Sequence, residues 1–271
     1  MTLALPVAEA CLARHRVRLL GNEGPMLVFV PGFGGSQASW EPVATRFAHD
    51  HRVVLMDLVD GHALDPGDGP AYDNLWAHGT DLLELLGALD ARDVTVVGHG
   101  LAGLGGLLAA IQAPRLFKQL VLLCPSARFL NDPSGYKGGF TRDHLNALMD
   151  LMDKDFNAFV EVLAGLAYGD TADPRFAREL AARLATHDRE ALGVRLRQRL
   201  MCDHRADLAH CTVPCAVLQS HDDHYVPPTA TDYLVSQLRH GTLHWLDASG
   251  HCPHITHSDV VARALREVLR A

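Results

Sequence analysis

The sequence predicts an α/β fold in which a mostly parallel sheet is covered by helices on both faces and interrupted late by four inserted helices. Three observations carry that expectation. Short β-branched or apolar runs alternate with longer helical patterns, as strands joined by helical crossovers do. A glycine-rich turn, Gly98-His99-Gly100-Leu101-Ala102-Gly103, leads from an apolar run straight into a helical one. The stretch between Leu123 and Ala216 is far too long for a simple crossover, yet it keeps a helical pattern.

In chain order, the β-branched and apolar runs place strands at Val17 to Leu20, Met26 to Val30, Val53 to Leu58, Val94 to Val97, Leu120 to Leu123, Ala216 to Gln219 and Leu243 to Leu246. Before the fourth strand, Leu82-Leu83, Leu85-Leu86 and Leu89 form the apolar stripe of a helix. After it, a helix over Leu101 to Ala113 is closed by Pro114, which cannot continue one. The long insertion divides into helices at Thr141 to Met152, Asp155 to Leu166, Pro174 to Leu184 and Arg189 to Met201. Gly169-Asp170 and His187-Asp188 are the breaks, and Thr141, Asp173 and Asp188 are the capping residues. A last helix runs from about Ser258 to Leu269, with Asp259 in its first turn. The chain thus reads as one core, residues 1–130 and 204–271, with a helical lid of residues 131–203. An insertion after the C-terminal edge of the sheet lies over the crevice where open α/β sheets take ligands.

Composition narrows the function. With 48% hydrophobic residues over 271 positions, the chain is long enough for a well-buried core. A formal charge of -8 argues against nucleic acid as a partner, because phosphate recognition needs clustered Lys and Arg. The densest basic stretch, Arg195-Leu196-Arg197-Gln198-Arg199, reads as a solvated helix face. The apolar N-terminus is broken by Pro6 and Glu9 and resembles no secretion signal, and no run suggests a membrane span. Six scattered cysteines do not make a disulfide framework, so a reducing, cytoplasmic location is expected. Cys211 and Cys215 lack the second pair that a zinc knuckle needs, and neither a metal nor an organic cofactor is expected.

The glycine-rich turn carries two incompatible signatures. Gly98-x-Gly100-x-x-Gly103 matches a dinucleotide fingerprint, but that reading requires a carboxylate about 20 residues on. The next strand instead runs into Cys124-Pro125-Ser126. With one substitution the same residues form a nucleophile elbow, G-x-S-x-G, whose serine has become Gly100. Nucleophilic sites on sheets of this kind take their residues in the order nucleophile, acid, histidine. Position 100, Asp223 and His251 follow that order, and each follows a strand. Pro31-Gly32-Phe33-Gly34-Gly35 after the second strand offers a backbone N–H at Phe33 to pair with that of Leu101 as an oxyanion hole. A tight strand-to-helix turn explains the same glycines. Asp222 reads as a solvated neighbour, Ser126 as a loop hydrogen-bonder, and His251, His254 and His257 as too irregular around Pro253 for a metal site.

These stretches resemble the RsbQ-type α/β-hydrolases, bacterial stress-signalling proteins related to plant karrikin and strigolactone receptors. The matching residues are Pro31-Gly32-Phe33-Gly34 with Gln37 and Trp40, Val97-Gly98-His99, and Leu130-Asn131-Asp132-Pro133 with Gly138-Gly139-Phe140. Asp203-His204-Arg205 with Asp207-Leu208, the Asp223 loop to Pro227, and Gly250-His251-Cys252-Pro253-His254 complete them. The resemblance covers nearly the whole chain. It implies an α/β-hydrolase core, a four-helix lid over an apolar pocket, and a Ser-His-Asp triad whose serine falls on Gly100. Glycine has no Oγ, so no acyl-enzyme forms at that position. The expected activity is hydrolysis of a small apolar ester or lactone, impaired by Gly100. His251 would be the base and Asp223 its orienting acid, with Phe129, Phe140, Met152, Phe156 and Phe159 lining the ligand pocket; for any one of the lid residues Phe140, Met149, Met152, Phe156 and Phe159, packing lid against lid is the safer reading. The other class of function is a ligand sensor that recruits a PAS-containing phosphatase, as the resemblance implies.

Overall fold

Strands Met26–Val30 (β2) and Val94–His99 (β4) are buried along their whole length, as strands covered on both faces must be. They lie at the centre of a seven-stranded sheet in a computed structural model that describes residues 5–59, 74–169 and 172–270. The other strands are Arg18–Leu20 (β1), Arg52–Leu55 (β3), Phe117–Leu123 (β5), Cys215–His221 (β6) and Gly241–Ser249 (β7). Their order is β1-β3-β2-β4-β5-β6-β7, with β1 antiparallel to β3 and every other pair parallel. Alternation along the strands splits the core into two layers. Val28, Val30, Val96 and Leu122 pack against helices on one face, while Leu27, Phe29, Val97 and Val121 pack on the other with Trp40, Phe47 and Leu265.

The helices are Leu5–Arg14 (α1), Glu41–Ala44 (α2), Leu75–Ala88 (α3), Leu101–Gln112 (α4), Arg142–Lys154 (α5), Phe156–Tyr168 (α6), Pro174–Leu184 (α7), Arg189–Met201 (α8), Pro228–Gln237 (α9), Pro253–Thr256 (α10) and Ser258–Arg270 (α11). Helix α4 is joined to β4 so tightly that a Cβ on Gly98 would stand 2.6 Å from the Gly103 Cα. Those two glycines of the dinucleotide-like motif therefore serve strand–helix packing.

Four helices, α5 to α8, stand between β5 and β6, and each starts on a side-chain cap. Thr141, Asp155, Asp173 and Asp188 accept from the backbone N–H of His144, Ala158, Arg175 and Ala191 at 2.9–3.1 Å. Where the chain leaves the sheet and returns to it, Arg128, Asp132, Asp203 and Arg205 form a clasp. Arg128 reaches Asp203 at 2.5 Å, and Arg205 reaches Asp132 and Asp203 at 2.7 Å. Burial works against the Asp203 charge, yet the hydrogen bonds from Arg205 and Arg128 bring its pKa down to about 2.

Several boundaries differ from the sequence reading. The third strand stops at Leu55 because the Asp57 N–H turns to the His15 carbonyl and the Asp57 carboxylate accepts from the Gln37 N–H. Strands β4 to β7 run further than their apolar runs, since polar ends such as His99 still pair with a neighbour. Helices α1 and α9 had no expected counterpart. Cys11 is the buried residue of α1, and α9 buries Ala230, Thr231 and Leu234, so neither shows a strong apolar stripe. Of the break at Gly169-Asp170, Asp170 lies outside the described residues. No helix among the described residues is long and apolar enough to cross a membrane.

Candidate active site

The turn after β4 reverses the chain at Gly100, with φ 58° and ψ −128°, a left-handed conformation that a residue without Cβ enters at little cost. The Gly100 N–H donates to the Leu123 carbonyl at 2.8 Å, tying the turn to β5. A Cβ built on Gly100 would face the imidazole of His251, with Nε2 at 3.3 Å and Cε1 at 3.8 Å.

Backbone hydrogen bonds deliver His251 to that place. Its N–H donates to the Ala167 carbonyl of α6 at 2.9 Å, and the neighbouring Gly250 N–H donates to the His221 carbonyl at the end of β6 at 3.0 Å. Ser220 Oγ donates to the Gly250 carbonyl. From below, His99 Nε2–H donates to the His251 carbonyl at 2.8 Å, the direction fixed because a carbonyl can accept alone. The His99 ring lies 4.7 Å from His251 and 4.5 Å from His254, which stacks in turn on Trp40 at 4.4 Å. Burial lowers the pKa of His99 to about 3 and pushes that of His254 well below the usual value, so both rings stay neutral.

Asp223 follows β6 and its side chain is fully buried. One oxygen accepts from the N–H groups of Tyr225 and Val226 at 2.9 and 3.1 Å. The other accepts from Gln219 Nε2 at 3.1 Å and His251 Nδ1 at 2.9 Å. Burial opposes the charge, but His251 and these hydrogen bonds outweigh it and hold the carboxyl below its ordinary pKa. An ionised carboxylate can only accept, so the imidazole proton sits on Nδ1 and the Nε2 lone pair points at position 100. The pair can therefore take a proton from a group held at Gly100.

Gly100, Leu101, Phe33, His99 and His251 form part of the wall of a cavity of about 80 Å³. Phe129 lines it as well. Phe140, Met152, Phe156 and Phe159 do not line this cavity. Phe140 packs against Phe129 and Tyr225, Phe156 stacks on Phe159, and Met152 lies over Gly193 of α8. The apolar wall comes instead from i, i+4 pairs on three helices: Leu163 and Ala167 on α6, Leu180 and Leu184 on α7, Leu196 and Leu200 on α8. Their spacing is visible in the sequence, but the face that each helix turns inward is not.

Three further residues escaped the sequence reading. Tyr225 lines the cavity, lies 5.0 Å from the His251 ring and donates its hydroxyl to the Leu163 carbonyl, linking the Asp223 loop to α6. Cys252 is a neighbouring wall residue. Arg199 also lines the cavity, with its guanidinium 4.6 Å above the Phe33 ring. The basic stretch is therefore not one solvated face: Arg197 is exposed, whereas Arg195 and Arg199, four apart, turn toward the core.

Among the described residues, the cluster with metal-ligand chemistry is Cys124, Asp223 and His251, whose donor atoms lie within 4.8 Å of one another. Asp223 and His251 spend their facing atoms on each other, and burial raises the Cys124 thiol pKa well above its usual value. His254 is held between rings and His257 pairs with Thr256 at 2.8 Å. Ser126 Oγ donates to the Arg128 carbonyl.

The shape and the sequence agree with known proteins. A family model described as "Alpha/beta hydrolase family" matches residues 27–264. The chain is 33% identical to a strigolactone esterase from Pisum sativum over 98% of its length and 99% of the relative's. It is 30% identical to a karrikin insensitive 2 receptor from Petunia hybrida, covering 93% and 94% of the two chains. A putative carbamate hydrolase from Stutzerimonas stutzeri is 29% identical, with 88% of each covered. The solved structure of a hydrolase from Oleispira antarctica superposes with a TM-score of 0.93 at 25% identity, covering 100% of this chain and 98% of that one. With a family match spanning most of its length and esterases among its relatives, the chain belongs to the α/β hydrolase family.

Proposed function

We propose that this protein acts on a small apolar ester or lactone, with His251 as base, Asp223 orienting it, and the Phe33 and Leu101 amides as oxyanion donors. The single observation behind this reading is the Asp223–His251 hydrogen bond at 2.9 Å, with Nε2 directed to position 100. Leu101 opens α4, where backbone N–H groups have no partner within the helix, and Phe33 faces the same cavity. Residues 131–203 act as a lid whose leucines define the acyl pocket. At about 80 Å³ the cavity suits short acyl groups, and a position 100 without Oγ rules out an acyl-serine. Six cysteines present as free thiols suit a reducing, cytoplasmic setting.

Gly100→Ser tests the reading. A serine placed beside an oriented base should raise turnover of short activated esters on the order of 10³-fold or more. A serine variant that folds normally yet, like the parent, turns over esters and lactones no faster than His251→Ala would defeat the hydrolase reading.

A second reading draws on Gly100 itself. A site that keeps its cavity and its histidine–carboxylate pair while lacking a hydroxyl suits a ligand-sensing regulator of the RsbQ type, signalling to a PAS-containing phosphatase. Such a sensor would show a ligand-induced rise in Tm with no product released.

A further inference from the structure

At position 100 the space beside the base begins where a side chain would. A Cβ there would already be in contact with His251 Nε2 at 3.3 Å, and beyond Cε1 of the same ring no other heavy atom outside the adjoining chain comes within 4 Å. A water oxygen at about 2.8 Å from Nε2 therefore fits where a methyl group would crowd. The base is confined to face that space: Asp223 holds its Nδ1, Tyr225 lies on one side of the ring at 5.0 Å, and His99 lies 4.7 Å away while bonding the His251 carbonyl. The cavity has room for a water beside a short acyl group.

From this geometry we infer that a water molecule stands in for the serine hydroxyl, and that the protein as it exists hydrolyses short activated esters by direct attack of water, without a covalent enzyme intermediate. The inference rests on the site reading above and adds a mechanism that the chain's own glycine permits. The water oxygen bonds to the ester carbonyl carbon while its proton passes to His251 Nε2. The carbonyl π pair moves onto oxygen, facing the Phe33 and Leu101 amides. As the C=O re-forms, the bond to the leaving alcohol breaks and Nε2–H returns the proton to the alcohol oxygen. Ester and water become acid and alcohol, Asp223 stays a carboxylate throughout, and no enzyme atom is acylated. Sites of this kind stripped of a triad member keep roughly 10³-fold catalysis over water, enough to measure.

The test is hydrolysis of 4-nitrophenyl acetate by the parent, Gly100→Ala, Gly100→Ser and His251→Ala proteins. The parent should turn over without an initial burst, carry no acetyl adduct by intact mass, and exceed His251→Ala at least tenfold, the latter reporting non-specific catalysis by the chain's other histidines. Gly100→Ala should lose at least tenfold, because its methyl occupies the water's place. Since a Cβ is strained at this φ, methanol provides a check independent of that variant. It should compete with water in the parent, raising 4-nitrophenol release and giving methyl acetate, and do so far less in His251→Ala. A parent no faster than His251→Ala, a burst, or an acetyl group on His251 would overturn the direct-water mechanism. If Gly100→Ser gains activity in that case, the hydrolase reading survives; if it gains none, both fall.

Discussion

The site loops and the helical insertion meet at one cavity but are built by opposite means. In the loops, position is set by hydrogen bonds: Asp223 accepts four, and His251 is fixed through its N–H, its carbonyl and its Nδ1. In the insertion, position is set by capped helices and apolar contact, with apolar pairs presented at i, i+4. Directional bonds tolerate little change without loss of chemistry, whereas leucines can change volume and keep the fold. On the proposed function, chemistry then falls to the loops and ligand choice to the insertion.

The largest expected effect tests the first half of this contrast. In the Gly100→Ser background, Asp223→Asn should cut kcat on the order of 10³-fold. A carboxamide can donate to Nδ1 and so turn the imidazole to the wrong tautomer. A variant that keeps its rate would mean that Asp223 is structural.

Stability against acid comes next. His99 is neutral in the fold at pH values where an unfolded histidine is protonated. Below about pH 6.5 the unfolded chain binds a proton that the native protein refuses, so stability falls as pH drops toward 3, by about 1.4 kcal/mol per pH unit from this group. His99→Gln, whose amide can still donate to the His251 carbonyl, should make that limb of urea unfolding shallower by about 1.4 kcal/mol per pH unit between pH 6.5 and 4.5, with His254 keeping part of the slope. An unchanged slope would place the acid sensitivity elsewhere.

Leu163→Phe should narrow the acyl pocket and reduce kcat/KM for butyrate esters about tenfold relative to acetate, the scale of one or two methylenes in an apolar pocket. Equal losses on both esters would mean that the insertion governs chemistry as well as fit. The smallest effect belongs to the clasp. Asp203 is depressed to about 2, so it contributes stability above the unfolded value of about 3.9 and loses it as pH falls toward 2. With a third of its side chain exposed, solvent screens the pair, and Asp203→Asn should cost about 1 kcal/mol at pH 7 by urea unfolding. A cost that persists unchanged at pH 2 would not be electrostatic.

The same contrast explains what the sequence made legible. Asp223, His251 and the Gly98–Gly103 turn could be read because strand-end chemistry follows a fixed chain order, and the insertion because its caps and breaks are local. Phe129 lines the cavity as expected, but the wall residues contributed by the insertion were not readable in this way. Phe140, Met152, Phe156 and Phe159 are among the bulky apolar residues of the insertion, yet they pack between elements and leave smaller leucines at the cavity. Tyr225 gave no signal because its part depends on Leu163, 62 positions away. The helices α1 and α9 were missed because weak stripes and short contacts leave little periodicity to detect.

The clasp of Arg128, Asp132, Asp203 and Arg205 brings the two ends of the insertion side by side. A segment entered and left at one point behaves as a cassette: it can be exchanged for another of different length while the strands beneath keep their register. Chimeras joined at these four residues should therefore inherit ligand range from the donor of the helices and reaction chemistry from the donor of the sheet.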